Sequence, residues 1–461
     1  MPVSFLALAL DRAGGAQLEM HFQSCDYLHS RIRREGYFTT IQPIADRIKN
    51  FTVHITPTLG PHWEGYHLPK LFSVPYPSLE SLDLSYNPFY ASYSRRNQQP
   101  HRPGIGPDAK GAAMLELLTL IPTSQLKHLT LRHVEGWPPT YFGNLTNLTL
   151  FGCADGTALA EAVTANPALQ KLKLESIKHK ERFSYDPRRL VELDGQTLEL
   201  ARCDPGVLSM FTLTSTCSLV ITQTMDQNAI AYKAKIAALW WLPEDISGIR
   251  CLQELAEVRF SVVRTPGRKG WIAAEQKTVG YSTSNLTPGS GPGPSVTFNL
   301  TYHSDARAQL HEVPFEPKYL LPYPTPWGQV TRASFDGFSG QFRIRDDAVL
   351  KTLPSLRSMM LRRCDSGYLV RLITPDKLQG LESLWFEDEL SGADFGDTLS
   401  KTFELRHTFA GLRLKDLKIV IPGDPSSIIT AEQMERLEGC IYRIEATKAP
   451  GYRSVALIKY N

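Results

Sequence analysis

The segment Leu79-Glu80-Ser81-Leu82-Asp83-Leu84-Ser85-Tyr86-Asn87 sets leucines at intervals of three and then two before a closing Asn. The same spacing returns along the chain in degenerate form. Leu145-Thr146-Asn147-Leu148-Thr149-Leu150-Phe151-Gly152-Cys153 fits at every position, with Cys at the close. Leu356-Arg357-Ser358-Met359-Met360-Leu361-Arg362-Arg363-Cys364 fits with one Met for Leu. Leu126, Leu129 and Leu131 end on Val134, and Leu169, Leu172 and Leu174 end on Ile177. Leu198, Leu200 and Cys203 keep the later anchors but have Gly195 where the first Leu should stand. Leu381, Leu384 and Phe386, then Leu414, Leu417 and Ile419, are further copies, and Leu255, Val258 and Phe260 a weaker one.

Apolar residues two apart on a strand share one face. Each copy therefore presents a pair of aliphatic side chains that it is too small to bury, and it needs a neighbour on either side. The spacing is that of a leucine-rich repeat, in which each copy supplies a short strand and a turn. It predicts an α/β fold: a leucine-rich-repeat solenoid with parallel strands on the concave side and helices and loops on the convex side. The leading Leu and the closing Asn or Cys pack the corners, where a buried polar side chain can bond turn amides left without partners.

First anchors at 126, 145 and 169 lie 19 and 24 residues apart, and those at 356 and 381 lie 25 apart. Such intervals suit one strand plus a short return, near the range of about 20–29 for this class. The 47 residues from 79 to 126 call for an insertion or an unrecognised copy. Return segments read as helices: Ala158 to Val163 before Asn166-Pro167, Met114 to Ile121 before Pro122, and Thr402 to Phe409 before Gly411. Proline and glycine at those positions are stop signals.

Residues 1–60 lack the repeat; Phe5 to Ala13 reads as a helix, while Leu18 to Phe22 and Ile48 to Ile55 read as strands of divergent covering units. Phe89 to Ala113, polar and holding Arg95, Arg96 and Arg102, reads as a loop. The run Pro288-Gly289-Ser290-Gly291-Pro292-Gly293-Pro294 marks a flexible connector. The expected division is 1–264 as an N-terminal cap with the first repeats, 265–295 as a Gly/Pro-rich flexible loop, and 296–461 as the C-terminal repeats.

Apolar residues make up 42% and charged ones 21% of the 461 residues, a globular composition. A net charge of +3 gives no reason to invoke nucleic acid. No stretch approaches the length of a membrane-spanning helix, and the apolar start, Val3 to Leu10, is short and has no basic flank. Seven Cys without a C-x-x-C pair suggest a reduced cytoplasmic or nuclear setting. Sequons at Asn50, Asn144, Asn147, Asn285 and Asn299 are then expected to stay unused.

Motifs that carry catalysis are not found. His62 and His67 flank Glu64 at a spacing unlike a helical zinc pair. Gly104 to Gly111 lacks the Gly-Lys-Ser/Thr ending of a phosphate loop, and Pro107 removes an amide the cradle needs. No enzyme, cofactor or metal is therefore expected. Binding is expected on the open sheet surface, at side chains that alternate away from the leucines. These outward pairs are Asp83 and Ser85, Thr130 and Arg132, Thr149 and Phe151, Lys173 and Glu175, Met360 and Arg362, Trp385 and Glu387, Lys418 and Val420. Among them Arg132, Phe151, Lys173, Met360, Arg362, Trp385 and Glu387 are the candidate residues for a protein partner, since aromatic residues and Arg dominate interface energetics. The Pro- and aromatic-rich segment Val313 to Gly328 is the competing cover for Trp385.

The degenerate repeats, the wording Asn144-Leu145-Thr146-Asn147-Leu148-Thr149-Leu150-Phe151-Gly152-Cys153 and the opening Phe5 to Phe22 resemble the F-box/leucine-rich-repeat proteins expanded in mushroom-forming fungi. That resemblance implies repeats that hold a target while an amino-terminal F-box, opening on a Leu-Pro-x-Glu phrase, recruits a Skp1-type adaptor of a ubiquitin ligase. No such phrase precedes Phe5, so adaptor docking is expected only if an F-box is supplied upstream. Leu242-Pro243-Glu244-Asp245-Ile246 imitates one, but Val258 to Val263 after it reads as strand. A standalone scaffold or inhibitor without a ligase connection is the alternative.

Overall fold

The structure is a computed structural model that describes residues 3–23, 39–55, 74–86, 125–134, 141–152, 156–177, 191–203, 205–225, 247–252, 255–265, 273–283, 295–304, 326–336, 353–364, 378–387, 395–421, 424, 429–448 and 457–460. The chain is α/β and divides into two compact units, Met1–Thr212 and Leu213–Asn461.

The first unit begins with helix α1 (Val3–Arg12) and strands β1 (Leu18–Gln23) and β2 (Ile48–Ile55). Strands β3 (Ser81–Tyr86), β4 (His128–Arg132) and β5 (Asn147–Phe151) follow. Helix α2 (Gly156–Ala165) leads to β6 (Lys171–Glu175), β7 (Val191–Leu193) and β8 (Thr197–Ala201). Its main sheet is wholly parallel, in the order β1-β2-β3-β4-β5-β6-β8.

Register turns the repeated spacing into columns. Leu82, Leu129, Leu148, Leu172 and Leu198 stand opposite one another, and so do Leu84, Leu131, Leu150, Leu174 and Leu200. None is more than 3% exposed. Phe51 and Val53 of β2 head the two columns. Burying each such side chain contributes about 2 kcal/mol, which no single copy could gain alone.

Entry to each strand repeats as well. The Glu80 carbonyl accepts from the amides of Lys127 (2.8 Å) and His128 (2.9 Å), and the Lys127 carbonyl from Thr146 (2.8 Å) and Asn147 (3.0 Å). Thr146 serves Gln170 and Lys171 in the same way, at 2.8 and 3.0 Å. Exit is equally regular. His133 (φ 56), Gly152 (φ 74), Ser176 (φ 54) and Arg202 (φ 54) follow β4, β5, β6 and β8 in the left-handed region. The amides of His133, Gly152 and Ser176 donate to the last carbonyl of the neighbouring strand, on Phe151, Glu175 and Ala201, at 2.7–2.8 Å. An L-residue there costs about 1–2 kcal/mol, and the bond to the neighbouring strand offsets it.

At Gly152 a Cβ would also collide with the His133 imidazole. Gly152→Ala is expected to lower stability by about 1–3 kcal/mol in urea unfolding, from left-handed strain and a contact that the His133 ring must shift to relieve. An unchanged midpoint would reject this arrangement of the exit turn.

Strand β9 (Phe211–Leu213) runs across the division between units. The second unit holds β10 (Ser218–Met225), β11 (Leu255–Thr265), β12 (Ala273–Thr283), β13 (Ser295–Ser304), β14 (Arg332–Asp336), β15 (Ser358–Arg362) and β16 (Ser383–Glu387). Helix α3 (Phe395–Ala410), β17 (Leu414–Ile421), helix α4 (Ala431–Cys440), β18 (Ile441–Lys448) and β19 (Leu457–Tyr460) complete it. Strands β11, β14, β15, β16, β17 and β18 pair in parallel. Antiparallel β11-β12-β13 continues the sheet on one side, with β10 parallel to β13, and β19 closes antiparallel on β18.

The columns recur in this second sheet. Ala333, Met359, Leu384, Leu417 and Ile444 form one, and Phe335, Leu361, Phe386, Ile419 and Ala446 the other, none above 4% exposed. Arg357 and Ser358 both donate to the Thr331 carbonyl, and Glu382 and Ser383 both donate to that of Arg357. The closing thiols act alike in the two units. Cys203 Sγ donates to the carbonyls of Leu174 (3.2 Å) and Ala201 (3.5 Å), and Cys364 Sγ to those of Phe335 (3.3 Å) and Arg362 (3.2 Å).

Thr430 and Gln433 form a reciprocal capping box at the start of α4: Thr430 Oγ1 accepts from the Gln433 amide at 3.2 Å, and Gln433 Oε1 from the Thr430 amide at 2.9 Å. The spare Nε2 of Gln433 reaches Asp397 Oδ1 in the first turn of α3 at 3.0 Å.

Helices at 158–163 and 402–409 and strands at 18–22, 48–55 and 258–263 stand where the sequence places them. Two further strands of the same spacing, β14 and β18, carry Ala333 and Ala446 where a larger residue is expected. The compact units divide at Thr212/Leu213 rather than near 265, and residues 273–283, inside the expected flexible segment, form β12. The helix at 114–121, the loop at 89–113, Leu242 to Ile246 and the run 288–294 lie outside the described residues.

Candidate functional site

Residues alternating away from the leucine columns form rows across neighbouring strands. In the first unit one row is Asp83, Thr130, Thr149, Lys173 and Glu199, and the next is Ser85, Arg132, Phe151, Glu175 and Ala201. The sheet brings Arg132, Phe151 and Lys173 onto one face. Arg132 Nε and Nη2 donate to the Asp83 carboxylate at 3.3 and 3.4 Å. The guanidiniums of Arg132 and Arg202 stand 5.9 and 5.7 Å from the centre of the Phe151 ring, and His133 meets that ring edge-on at 4.7 Å.

A cation over an aromatic face contributes about 0.5–1 kcal/mol at an exposed site. This explains how Phe151 is tolerated on a polar surface. Burial, and then the charge of Arg132, lowers the His133 pKa below its ordinary value.

Lys173 Nζ lies 3.0 Å from Glu199 and 3.7 Å from Glu175, Lys171 Nζ lies 2.6 Å from Glu199, and Arg202 pairs with Glu175. Burial alone would raise the Glu199 pKa, but the two lysines outweigh it and hold the carboxyl below its ordinary range. Neither Arg202 nor Lys171 is among the residues singled out from sequence. Arg202 follows its strand in a copy whose first Leu is missing, so spacing alone hides that it returns to the same face.

In the second unit Met360, Trp385, Lys418 and Glu445 share one row, and Arg362, Glu387 and Val420 the next. Trp385 is 38% exposed. Lys418 Nζ stands 4.6 Å from its ring centre and 3.6 Å from Glu445, and Arg362 pairs with Glu387 at 3.5 Å. An ammonium group thus covers part of the indole. Most of the alternative cover, residues 313–325 of the segment 313–328, lies outside the described residues. Val420 departs from expectation: it alternates outward yet is buried at 7% exposure. The candidate residues therefore fall into two sets, one on each unit's sheet.

Among the described residues no group of three or more His, Cys, Asp or Glu could hold a metal ion, and no helix is long and apolar enough to cross a membrane. The fold defines an α/β protein in which each unit carries a largely parallel array of strands. No protein-family model and no curated protein sequence matches the chain.

Proposed function

We propose that this chain is a non-enzymatic protein-binding solenoid of leucine-rich repeats, similar to the substrate-recognition part of an F-box ubiquitin-ligase receptor. The observation that carries the reading is the row Met360-Trp385-Lys418 beside Arg362, on a face whose reverse is a continuous aliphatic column. A half-exposed indole next to a thioether and a guanidinium is the residue mixture that anchors protein interfaces. Thiols buried at Cys203, Cys217, Cys251, Cys364 and Cys440 suit a reducing compartment, the cytoplasm or nucleus. A Skp1-type adaptor joins only if an F-box is supplied upstream of the repeats. A purified adaptor of that type binding the 461-residue chain directly would overturn this division of labour.

Once a protein partner has been captured and purified, calorimetric titration tests the surface. Trp385→Ala with Arg362→Ala is expected to weaken binding by about 100-fold while shifting the melting temperature by less than about 2 °C. Comparable loss of folding would show these side chains to be core. Unchanged affinity would remove this surface from the interface.

A further inference from the structure

The open face of the first unit carries four cations, Arg132, Lys171, Lys173 and Arg202, over three carboxylates, Asp83, Glu175 and Glu199. The carboxylates lie deeper. Glu175 and Glu199 are 17% and 18% exposed, against 49% for Arg202 and 44% for Lys171. Two carboxylates also serve three cations here, because Lys173 is shared between Glu175 and Glu199. An approaching molecule meets ammonium and guanidinium groups first, held upright by negative charge beneath them. Between Arg132 and Lys173 the floor is low, made by Thr130 and Thr149, with Phe151 standing beside it as an apolar plate.

From this arrangement we infer that the face binds an acidic polypeptide segment, its carboxylates meeting Arg132, Lys171, Lys173 and Arg202 and an apolar side chain resting on Phe151. The inference rests on the protein-binding reading above and names the partner's chemistry. Nucleic acid fits this face less well. Phosphate binding draws its free energy from the release of mobile counterions. Here the counterions are fixed carboxylates, which stay in place and repel closely spaced phosphates. A peptide can space its charges between them and adds apolar contact.

Fluorescence anisotropy with the full-length chain tests the assignment. The probes are a labelled peptide of alternating Glu and Phe, its counterpart with Lys for Glu, and a labelled oligothymidylate of equal charge. The Glu peptide is expected to bind, more weakly as salt rises, while the Lys peptide does not. Lys171→Glu with Lys173→Glu is expected to weaken binding by about tenfold or more. Should that variant unfold, Lys171→Gln with Lys173→Gln removes the charges without reversing them and is expected to act in the same direction. Absence of Glu-peptide binding, oligothymidylate binding as tight, or indifference to both variants would overturn the proposal. Such a failure, with a captured partner still sensitive to Trp385→Ala, rejects the acidic chemistry and leaves the protein-binding reading standing; insensitivity to Trp385→Ala alone removes the Trp385 surface from the interface and leaves the acidic chemistry of the first unit's face standing.

Discussion

Arg406→Ala is expected to destabilise the second unit by about 3–5 kcal/mol, the largest single effect foreseen for this chain. Arg406 lies on α3 and is 0% exposed. Its Nη2 donates to the carbonyl of Leu378 at 2.6 Å and, more weakly, to that of Gln379 at 3.4 Å. Leu378 sits at φ 54 in the turn that enters β16, and its carbonyl also accepts the Leu381 amide at 2.9 Å. One guanidinium thus ties helix α3 to the entry of β16, the strand before it. Desolvation lowers its pKa from the ordinary arginine value.

Alanine at this position would leave a cavity as well as a carbonyl that has lost a charged donor. Arg406→Met separates the two effects: it fills volume without donating, and it removes the penalty of a buried charge. The Met variant is therefore expected to lose less than half as much. Urea unfolding followed by circular dichroism reads both, and an Ala variant within about 0.5 kcal/mol of the parent would reject this placement of Arg406.

The second large effect is expected at Asn166, which is 1% exposed just after α2. Its Oδ1 accepts from the Leu145 amide at 2.8 Å, and its Nδ2 donates to the Ala162 carbonyl at 2.7 Å. The side chain therefore caps the last turn of its own helix while satisfying the amide of Leu145, the first anchor of the strand before that helix. Pro167, which cannot continue a helix, fixes where this happens. Asn166→Ala leaves two buried groups without these partners, for a loss of about 2–4 kcal/mol. Amide hydrogen exchange gives a local reading, since Leu145 should exchange faster than its neighbours Leu148 and Leu150. Protection at Leu145 equal to the parent's would contradict the assigned bond.

Positions of the strands were legible in the chain wherever two aliphatic residues sat two apart behind a leading anchor, as at 82 and 84 or 148 and 150. Period-two burial leaves such a segment few alternatives. Where Ala333 and Ala446 take the place of a larger residue, β14 and β18 escape a search for leucine, although the first anchors Val330 and Ile441 are still buried. The outward alternation placed Arg132, Phe151, Lys173, Met360, Arg362, Trp385 and Glu387 on sheet faces, because the same period that buries one residue exposes the next. Val420 breaks that rule, showing that alternation fixes direction but not cover.

What the chain determines by itself is local: spacing of apolar anchors, helix stops at Asn166-Pro167 and Gly411, and the face on which each strand residue falls. Short-range sterics and the need to bury leucine suffice for all of these. Tertiary structure alone decided that Asn166 would bind the amide of Leu145 and Arg406 the carbonyl of Leu378, each at the entry of the strand before its helix. It also decided that Arg202 and Arg132 would stand either side of Phe151, and that Lys418 would cover Trp385. Those pairings span up to 51 residues of sequence, from Phe151 to Arg202 in one case and from Lys418 back to Trp385 in another. No local periodicity encodes them, because they depend on which strands become neighbours and on how far long side chains reach across the rows.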